Sequence, residues 1–556
     1  MSKPDIPPFV PMQSRLSNTT DVTSTGHKSK LENSRLELPH ILEDADLVGE
    51  DMDEAATALR GQDLKYSKEE ETTLVARIDW HLMPLMAITC GMQFVDKAAI
   101  SNAATFGMKT DLNLQGQDYS WAISVFYFSY LLGTWPASYL MQRFHAGRVI
   151  GIACFLWGLN ILAMIGVKNI GGLITCRFFL GLFEAPLSPG FLMVTTRWYT
   201  PKEQPLFTCG PFRFGIWTLL NGWLPIPALV IYYGLGHANG PLASWRYIFL
   251  LLGILTIIIA VLVFLVIPDT PANAPWLSER EKAIAVERIA RNQTGIKNPT
   301  WKKEQFIEAL TDIRAWLVVM TLFFSQSGGA ITTNFIGLII NGFGFSQLRS
   351  LLLQTPAFAI QGIICLIVTG LITFTQTFRG FKQPLLSLAA CCVVVGTAVV
   401  YTHEPTPGNR QVLLGMMYMI ALNNCSFTTI MSVIGVNFAG ATKKGTVSAM
   451  SFIAYCISNI IVPQSFRGSE APTYHSGILT VMCFQIALIL CYWASWILMT
   501  LENRRRDRIQ PLEYPEKNRG DVEGRSEGEK DGSMKKVLQG LKDLTDQQNL
   551  AFRYSP

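Results

Sequence analysis

The stretch Leu173-Ile-Thr-Cys-Arg177-Phe-Phe-Leu-Gly-Leu-Phe-Glu184-Ala-Pro-Leu-Ser-Pro-Gly-Phe-Leu-Met-Val194 decides how the chain is read. It is long and apolar enough to cross the hydrocarbon core of a bilayer, which takes about 20 residues. Yet it carries two charges. An ionised side chain near mid-bilayer costs ~2.5–3.5 kcal/mol on insertion scales. Arg177 and Glu184 are seven positions apart. They lie about two helical turns from each other on nearly one face. Asp96 and Lys97 interrupt an earlier apolar run that starts near Leu82. Ionisable groups at such depth face a bundle interior or a watery cavity, where they mark ion or substrate pathways. The competing reading is a structural ion pair that only locks two helices.

The whole chain agrees with a membrane setting. Of its 556 residues, 49% are hydrophobic and only 16% charged, whereas soluble domains average about 25% charged. The charge crowds into 1–80, 269–314 and 502–556. No basic stripe interleaved with aromatics points to a nucleic-acid partner. The eleven cysteines lie in or beside apolar runs with no CxxC pattern, so they read as small core hydrophobes, not disulfides or metal ligands. GxxxxGK[ST], HExxH and GxSxG are all missing, and the seven histidines are scattered. An ATP-driven pump, a metalloenzyme and a hydrolase are thereby disfavoured, and no metal or cofactor is expected. The first 80 residues hold no signal-peptide core, so the first apolar span serves as the insertion signal.

Apolar runs predict an all-α membrane protein with twelve transmembrane helices in two six-helix bundles. The runs are 82–104, 119–140, 148–167, 171–196, 213–234, 245–267, 315–340, 350–375, 383–401, 411–436, 446–466 and 477–500. Alternate loops hold the positive charge: Arg143 and Arg148; Arg197 and Lys202; the 269–314 segment; Arg379 and Lys382; Lys443 and Lys444. By the positive-inside rule both termini are cytoplasmic. The predicted organisation is a mostly disordered cytoplasmic tail (1–78), an N-terminal bundle (79–268), a cytoplasmic linker (269–313), a C-terminal bundle (314–501) and a cytoplasmic tail (502–556). Ser67 with Glu70 caps a helix through Ala76, and Ser278-Glu279-Arg280-Glu281 opens a linker helix to about Arg291. Sequons at Asn18 and Asn292 fall on the cytoplasmic side. Six spans plus six around a polar linker is the layout of a two-half transporter with its site at mid-membrane.

Spans seven to twelve hold no Asp, Glu, Lys or Arg in their interiors; they offer amides and hydroxyls instead. This asymmetry assigns protons and one charged substrate group to the first half, and hydrogen bonding of the remainder to the second. An apolar cavity disfavours a charged carboxyl while a nearby guanidinium favours it. Glu184 can therefore exchange a proton as the local field changes, with Asp96 as its companion in proton coupling. Asp96 would pair with Arg177 in one state, and Arg177 or Lys97 would take the substrate anion in another. Lys97 snorkelling to an interface is the bland alternative. Thr333 and Asn334 follow Gly328-Gly329, which could loosen or break that span. Asn423, Tyr455 and Asn459 complete the expected substrate set, although any single amide there also reads as helix–helix glue.

The motifs match a known pattern. They are Arg77-Ile-Asp79-Trp-His-Leu-Met-Pro84, Asp96-Lys97 through Asn102-Ala103, and Arg177-Phe-Phe-Leu-Gly181-Leu-Phe-Glu184-Ala185. Further on come Thr294-Gly295-Ile296-Lys297-Asn298, Thr333-Asn334-Phe335, Tyr455-Cys456-Ile457-Ser458-Asn459, and Glu502-Asn503 running into Arg504-Arg505-Arg506. In this order the chain, from about Arg77 to Arg506, resembles the major facilitator superfamily. Within that superfamily it is similar to the anion:cation symporters, and most of all to the fungal allantoate permease family. The resemblance implies rocker-switch alternating access, with ion pairing, anion binding and proton coupling on Asp96, Lys97, Arg177 and Glu184. It implies proton-coupled uptake of allantoate, ureidosuccinate or a nicotinate-like carboxylate by a monomeric, multi-pass plasma-membrane protein that is not an enzyme. An uncoupled facilitator, an effluxer of a secondary metabolite and a non-transporting nutrient receptor are the rivals. Three departures stand out. Lys97 replaces a common Arg and loses its bidentate fork. Gln142 and Pro136 stand where Asp and Gly are usual, and Leu206–Pro211 reads as a short insertion or a gene-model error.

Overall fold

Ser67 and Glu70 cap one another's backbone, Ser67 Oγ accepting from the Glu70 N–H at 3.1 Å and Glu70 Oε2 from the Ser67 N–H at 3.0 Å. This capping box opens α1, Lys68–Thr105. The short helix expected at Ser67–Ala76 is thus the start of a 38-residue rod that includes the first apolar run. No breaker separates the two, and Pro84 removes only one hydrogen bond from the ladder. The chain, described here by a computed structural model, is resolved over 66–199, 220–237, 240–268, 270–292, 301–374, 381–509, 545–549 and 552–555. Most of the N-terminal tail, the Asn18 sequon, Leu206–Pro211 and Thr294–Asn298 lie outside these residues.

The described residues are all-helical. After α1 come α2 (Asp118–Arg143), α3 (Ala146–Ala163), α4 (Ile170–Glu184), α5 (Leu187–Trp198), α6 (Pro225–Leu235) and α7 (Ser244–Val266). The linker contributes α8 (Glu279–Asn292) and α9 (Lys303–Thr311). Then follow α10 (Ile313–Ala330), α11 (Ile336–Gly342), α12 (Thr355–Phe374), α13 (Lys382–Thr402), α14 (Arg410–Ile420), α15 (Cys425–Asn437), α16 (Ala441–Gln464) and α17 (His475–Ile509). Among the described residues, eight helices are long and apolar enough to cross a membrane. They coincide with the expected runs beginning at 148, 171, 245, 315, 350, 383, 446 and 477. The runs at 82 and 119 lie within α1 and α2. The run at 213 is described only from 220, and the run at 411 is divided between α14 and α15. Leu265, Leu388 and Leu490 stand bare on outer faces, as a protein solvated by lipid requires.

Two groups of helices form. In the first, α3 packs on α7 and α2 on α4; in the second, α10 packs on α16 and α17, and α13 on α17. Gly181 brings α2 and α4 together, since a Cβ there would lie 2.2 Å from both Phe126 O and Ser129 Oγ. Each linker helix docks on a different group. From α8, Glu281 pairs with Arg77 at 2.7 Å and Arg280 with Glu70 at 3.1 Å, while Trp276 just before it stacks between His81 and Trp198. From α9, Glu308 pairs with Lys443 at 2.9 Å.

The two groups meet through α2 against α16 and α1 against α11, and hydrogen bonds seal them at one end. Tyr119 donates to Asn334 O at 2.6 Å, Ser120 to Phe466 O at 3.3 Å, and Ser124 to Ile460 O at 2.8 Å. Gln464 donates to Ser124 at 2.8 Å, and Lys109 to the Tyr474 hydroxyl at 3.3 Å. Phe335 stacks on Phe466 at 4.2 Å behind them.

The described residues of the C-terminal tail are packed against the protein. α17 runs nine residues past the expected end at 500, and residues 545–549 and 552–555 sit against the helix ends.

Replacing Gly181 by Ala is expected to lower the thermal midpoint of the purified protein by an amount matching about 1–3 kcal/mol of overpacking. Gly415→Ala, a helical site that meets open space, serves as the control and should leave the midpoint unchanged or raise it, since Ala is favoured over Gly in a helix by about 0.5–1 kcal/mol.

Candidate functional site

Helix periodicity turns both charges of α4 inward: Arg177 is 2% exposed and Glu184 is fully buried. Glu184 Oε2 pairs with Lys97 Nζ at 3.2 Å and accepts from Gln93 Nε2 at 3.4 Å. Gln93 and Lys97 are four apart on α1, so they share a face. The Lys97 ammonium also lies over the rings of Phe126 and Tyr130, 5.3 and 5.4 Å from their centroids. Tyr130 in turn is held by Ser188 at 3.0 Å. Lys97 therefore turns into the protein and does not snorkel.

Asp96 is not paired with Arg177 in this state; its Oδ2 accepts from the Trp157 indole at 2.9 Å instead. The reason is angular: neighbours on a helix diverge by about 100°, so Lys97 reaches Glu184 on α4 while Asp96 faces Trp157 on α3. Arg177 is left with Nε and Nη2 buried and unpartnered. It interacts through space with Asp96, Glu184, Tyr119 and Tyr127. Asp96 Oδ1, Glu184 Oε1 and Asn334 Nδ2 are likewise buried without a hydrogen-bond partner. Buried polar groups are normally paired, so the open donors of Arg177 and Asn334 and the open acceptors of Asp96 and Glu184 mark a polar centre within the apolar bundle.

The second group supplies less than the sequence leads one to expect. Thr333 and Asn334 are buried in a π-helical turn, Ile331–Phe335, and Asn334 meets the first group through its carbonyl and Tyr119. The helix is loosened just beyond Gly328-Gly329, not broken; single π turns of this kind recur at functional sites. Tyr455 faces Tyr127 edge-on at 5.9 Å, with Phe427 and Phe452 beside it. Asn423 is committed elsewhere: it donates to Ser325 O at 2.6 Å and accepts from Gln485 at 3.0 Å, and Gly328 is small so that it can fit. Asn459 donates to Tyr455 O of its own helix at 2.9 Å. Asn423 thus ties its turn to α10 and α17, as helix–helix glue does, whereas the bond from Asn459 stays within α16.

Gln93, Tyr119, Tyr127, Tyr130 and Trp157 were not singled out in the sequence. Gln93 was findable from its one-turn spacing to Lys97. A buried indole needs an acceptor, which marks Trp157, lone on its apolar helix, as a partner for some buried acid.

A helical membrane protein built as two helix groups, with a charged centre inside the first, has a recognisable class, and the comparisons agree. Residues 85–463 match the Major Facilitator Superfamily model. An uncharacterized transporter of Schizosaccharomyces pombe is 34% identical, covering 91% of this chain and 90% of its own. The allantoate permease of Saccharomyces cerevisiae is 31% identical, covering 91% of each. The solved structure of a D-xylose-proton symporter, 14% identical, covers 74% of this chain and 97% of its own with a TM-score of 0.55; that likeness concerns the fold. The chain belongs to the Major Facilitator Superfamily, in the fungal group that resembles the allantoate permease.

Breaking a buried ion pair from one side costs about 3–5 kcal/mol. Lys97→Met and Glu184→Met should each lower the thermal midpoint strongly, and the double variant should recover much of the loss. A double variant as unstable as the sum of the singles would mean that the two groups do not depend on one another.

Proposed function

We propose that this protein is a secondary transporter that takes up a small organic anion together with protons by alternating access. The observation that carries the proposal is Arg177: a buried guanidinium with open donors, on the same helix face as an acid that is paired to a second cation. A carboxylate has the charge and the geometry to complete it.

In this reading Lys97 and Glu184 hold one another while Glu184 is ionised. When Glu184 takes a proton the pair is released, Lys97 joins Arg177 in attracting the anion, and the net charge of the centre is kept within what a low-dielectric site tolerates. Return of the proton to water on the other side restores the pair and expels the anion. Asp96, held by Trp157, keeps a negative charge near Arg177 and takes part in the proton path. Tyr455, Thr333 and Asn334 bind the uncharged part of the substrate. Twelve spans in two six-helix bundles, 79–268 and 314–501, with a cytoplasmic linker and both tails cytoplasmic, fit the alternation of charged loops. With that orientation the hydrogen-bonded seal around Tyr119 and Ser124 lies at the extracellular end, so the described state is closed to the outside. The protein would work as a monomer in the plasma membrane. Allantoate, ureidosuccinate and nicotinate-like carboxylates are the substrate class, in line with the S. cerevisiae relative's name.

The test is uptake of labelled carboxylates from such a panel in a transport-deficient host. Glu184→Gln should abolish proton-driven accumulation while substrate exchange continues; accumulation at normal rates would remove the coupling role. Hydrogen bonds to a charged group contribute about 1.5–3 kcal/mol, so Arg177→Ala should weaken substrate affinity by roughly tenfold or more. An unchanged affinity would exclude Arg177 from the binding site.

A further inference from the structure

The last residues of the chain are seated in a site built for them. Asp546, fully buried, pairs with Lys443 at 2.8 Å. The Tyr554 hydroxyl donates to Asp546 at 2.6 Å, and its ring lies between the guanidinium groups of Arg314 and Arg506, 4.7 and 4.9 Å from their central carbons. Arg506 also donates to the carbonyls of Asp546 and Phe552, each at 2.9 Å. Two asparagines read the tail backbone from both sides. Asn503 exchanges hydrogen bonds with Tyr554, at 2.8 and 2.9 Å, and Asn437 does the same with Ser555, at 3.1 and 2.6 Å. Arg553 pairs with Asp507 at 2.7 Å outside the buried part.

The receiving site does not need the tail for charge balance. Its three cations, Arg314, Lys443 and Arg506, already face three carboxylates, Asp312, Glu308 and Glu502. Burial pushes the Asp312 carboxyl up, but the hydrogen bonds and charges of Lys443 and Arg314 outweigh it and hold it below the usual carboxylate range. A site whose own charges are matched can survive losing a ligand.

What the tail grips also matters. Asn437 is the last residue of α15. At its other end α15 joins α14 through a tight 3₁₀ turn, Ala421–Asn424, and Asn423 in that turn is fixed to Ser325 and Gln485. Short 3₁₀ stretches inside a longer helix mark hinges. α15 is thus a rod of 13 residues, about 20 Å long, pivoted at Asn423 and held at its far tip by Ser555.

We propose that residues 545–549 and 552–555 form a releasable latch that binds the Arg314–Asn437–Lys443–Asn503–Arg506 site in cis and restrains α15 from swinging about Ala421–Asn424. The proposal does not depend on the identity of the substrate or on proton coupling.

The experiment is amide hydrogen exchange on the purified full-length protein. Asp546→Ala/Tyr554→Ala should speed exchange in residues 425–437 by about tenfold or more while α3 and α7 stay protected, because local opening is read directly by exchange. Adding a synthetic peptide of residues 541–556 should restore protection, and the same peptide with both substitutions should not. Tyr554→Phe, which keeps the ring but loses the hydroxyl bonds, should give a smaller increase in the same residues. Unchanged exchange over 425–437 in both variants would overturn the latch. So would global unfolding of the double variant that the peptide fails to rescue, since the tail would then be a permanent strut.

Discussion

Everything in the centre of this protein follows from the pairing of Lys97 with Glu184 at 3.2 Å, the acid fully buried and the ammonium mostly so. Each ion would be expensive alone. Together they fix the rotation of α1 against α4, because their side chains must meet. That rotation points the neighbouring Asp96 at Trp157, and it leaves Arg177, two turns away on α4, with no acidic side chain in direct contact. An arrangement that spends one cation on the resident acid and leaves a second one open is suited to a visitor that brings its own negative charge.

The seal between the helix groups has a different character. Its hydrogen bonds run mostly from neutral side chains of α2 to backbone carbonyls: Asn334, Ile460 and Phe466. Each such bond contributes a net ~0.5–1.5 kcal/mol, so a handful of them can be made and lost within the range a bound ligand supplies. The charges sit in the interior of the first group, and these neutral contacts sit between the groups. Under the proposed alternating access, this separation would let the groups part without exposing an ion pair to lipid.

Much of this was legible in the residues. Charge in an apolar run marked Arg177, Glu184, Asp96 and Lys97, because no other chemistry excuses their cost in a membrane. The capping boxes at Ser67 and Ser278 were readable because they are local. Pairing was not. Whether Asp96 or Glu184 meets Lys97 depends on the rotation of three helices, which no spacing within one helix reveals. The partners of Asn423 were not legible, because a buried amide looks the same in sequence whether it faces a cavity or a neighbouring Gln485. The seat of Asp546 and Tyr554 escaped notice for a similar reason: a polar tail after Ile509 reads as solvated, and its receptor is assembled from four separate helix ends.

Joint passage of anion and proton through this one centre is what the proposed function requires. It is tested most directly by reconstituting the purified protein in vesicles that enclose a pH-sensitive dye, then adding a labelled carboxylate of the allantoate or nicotinate type outside. The expected result is acidification of the vesicle interior in step with arrival of the label. Accumulation of label with no movement of protons would contradict it.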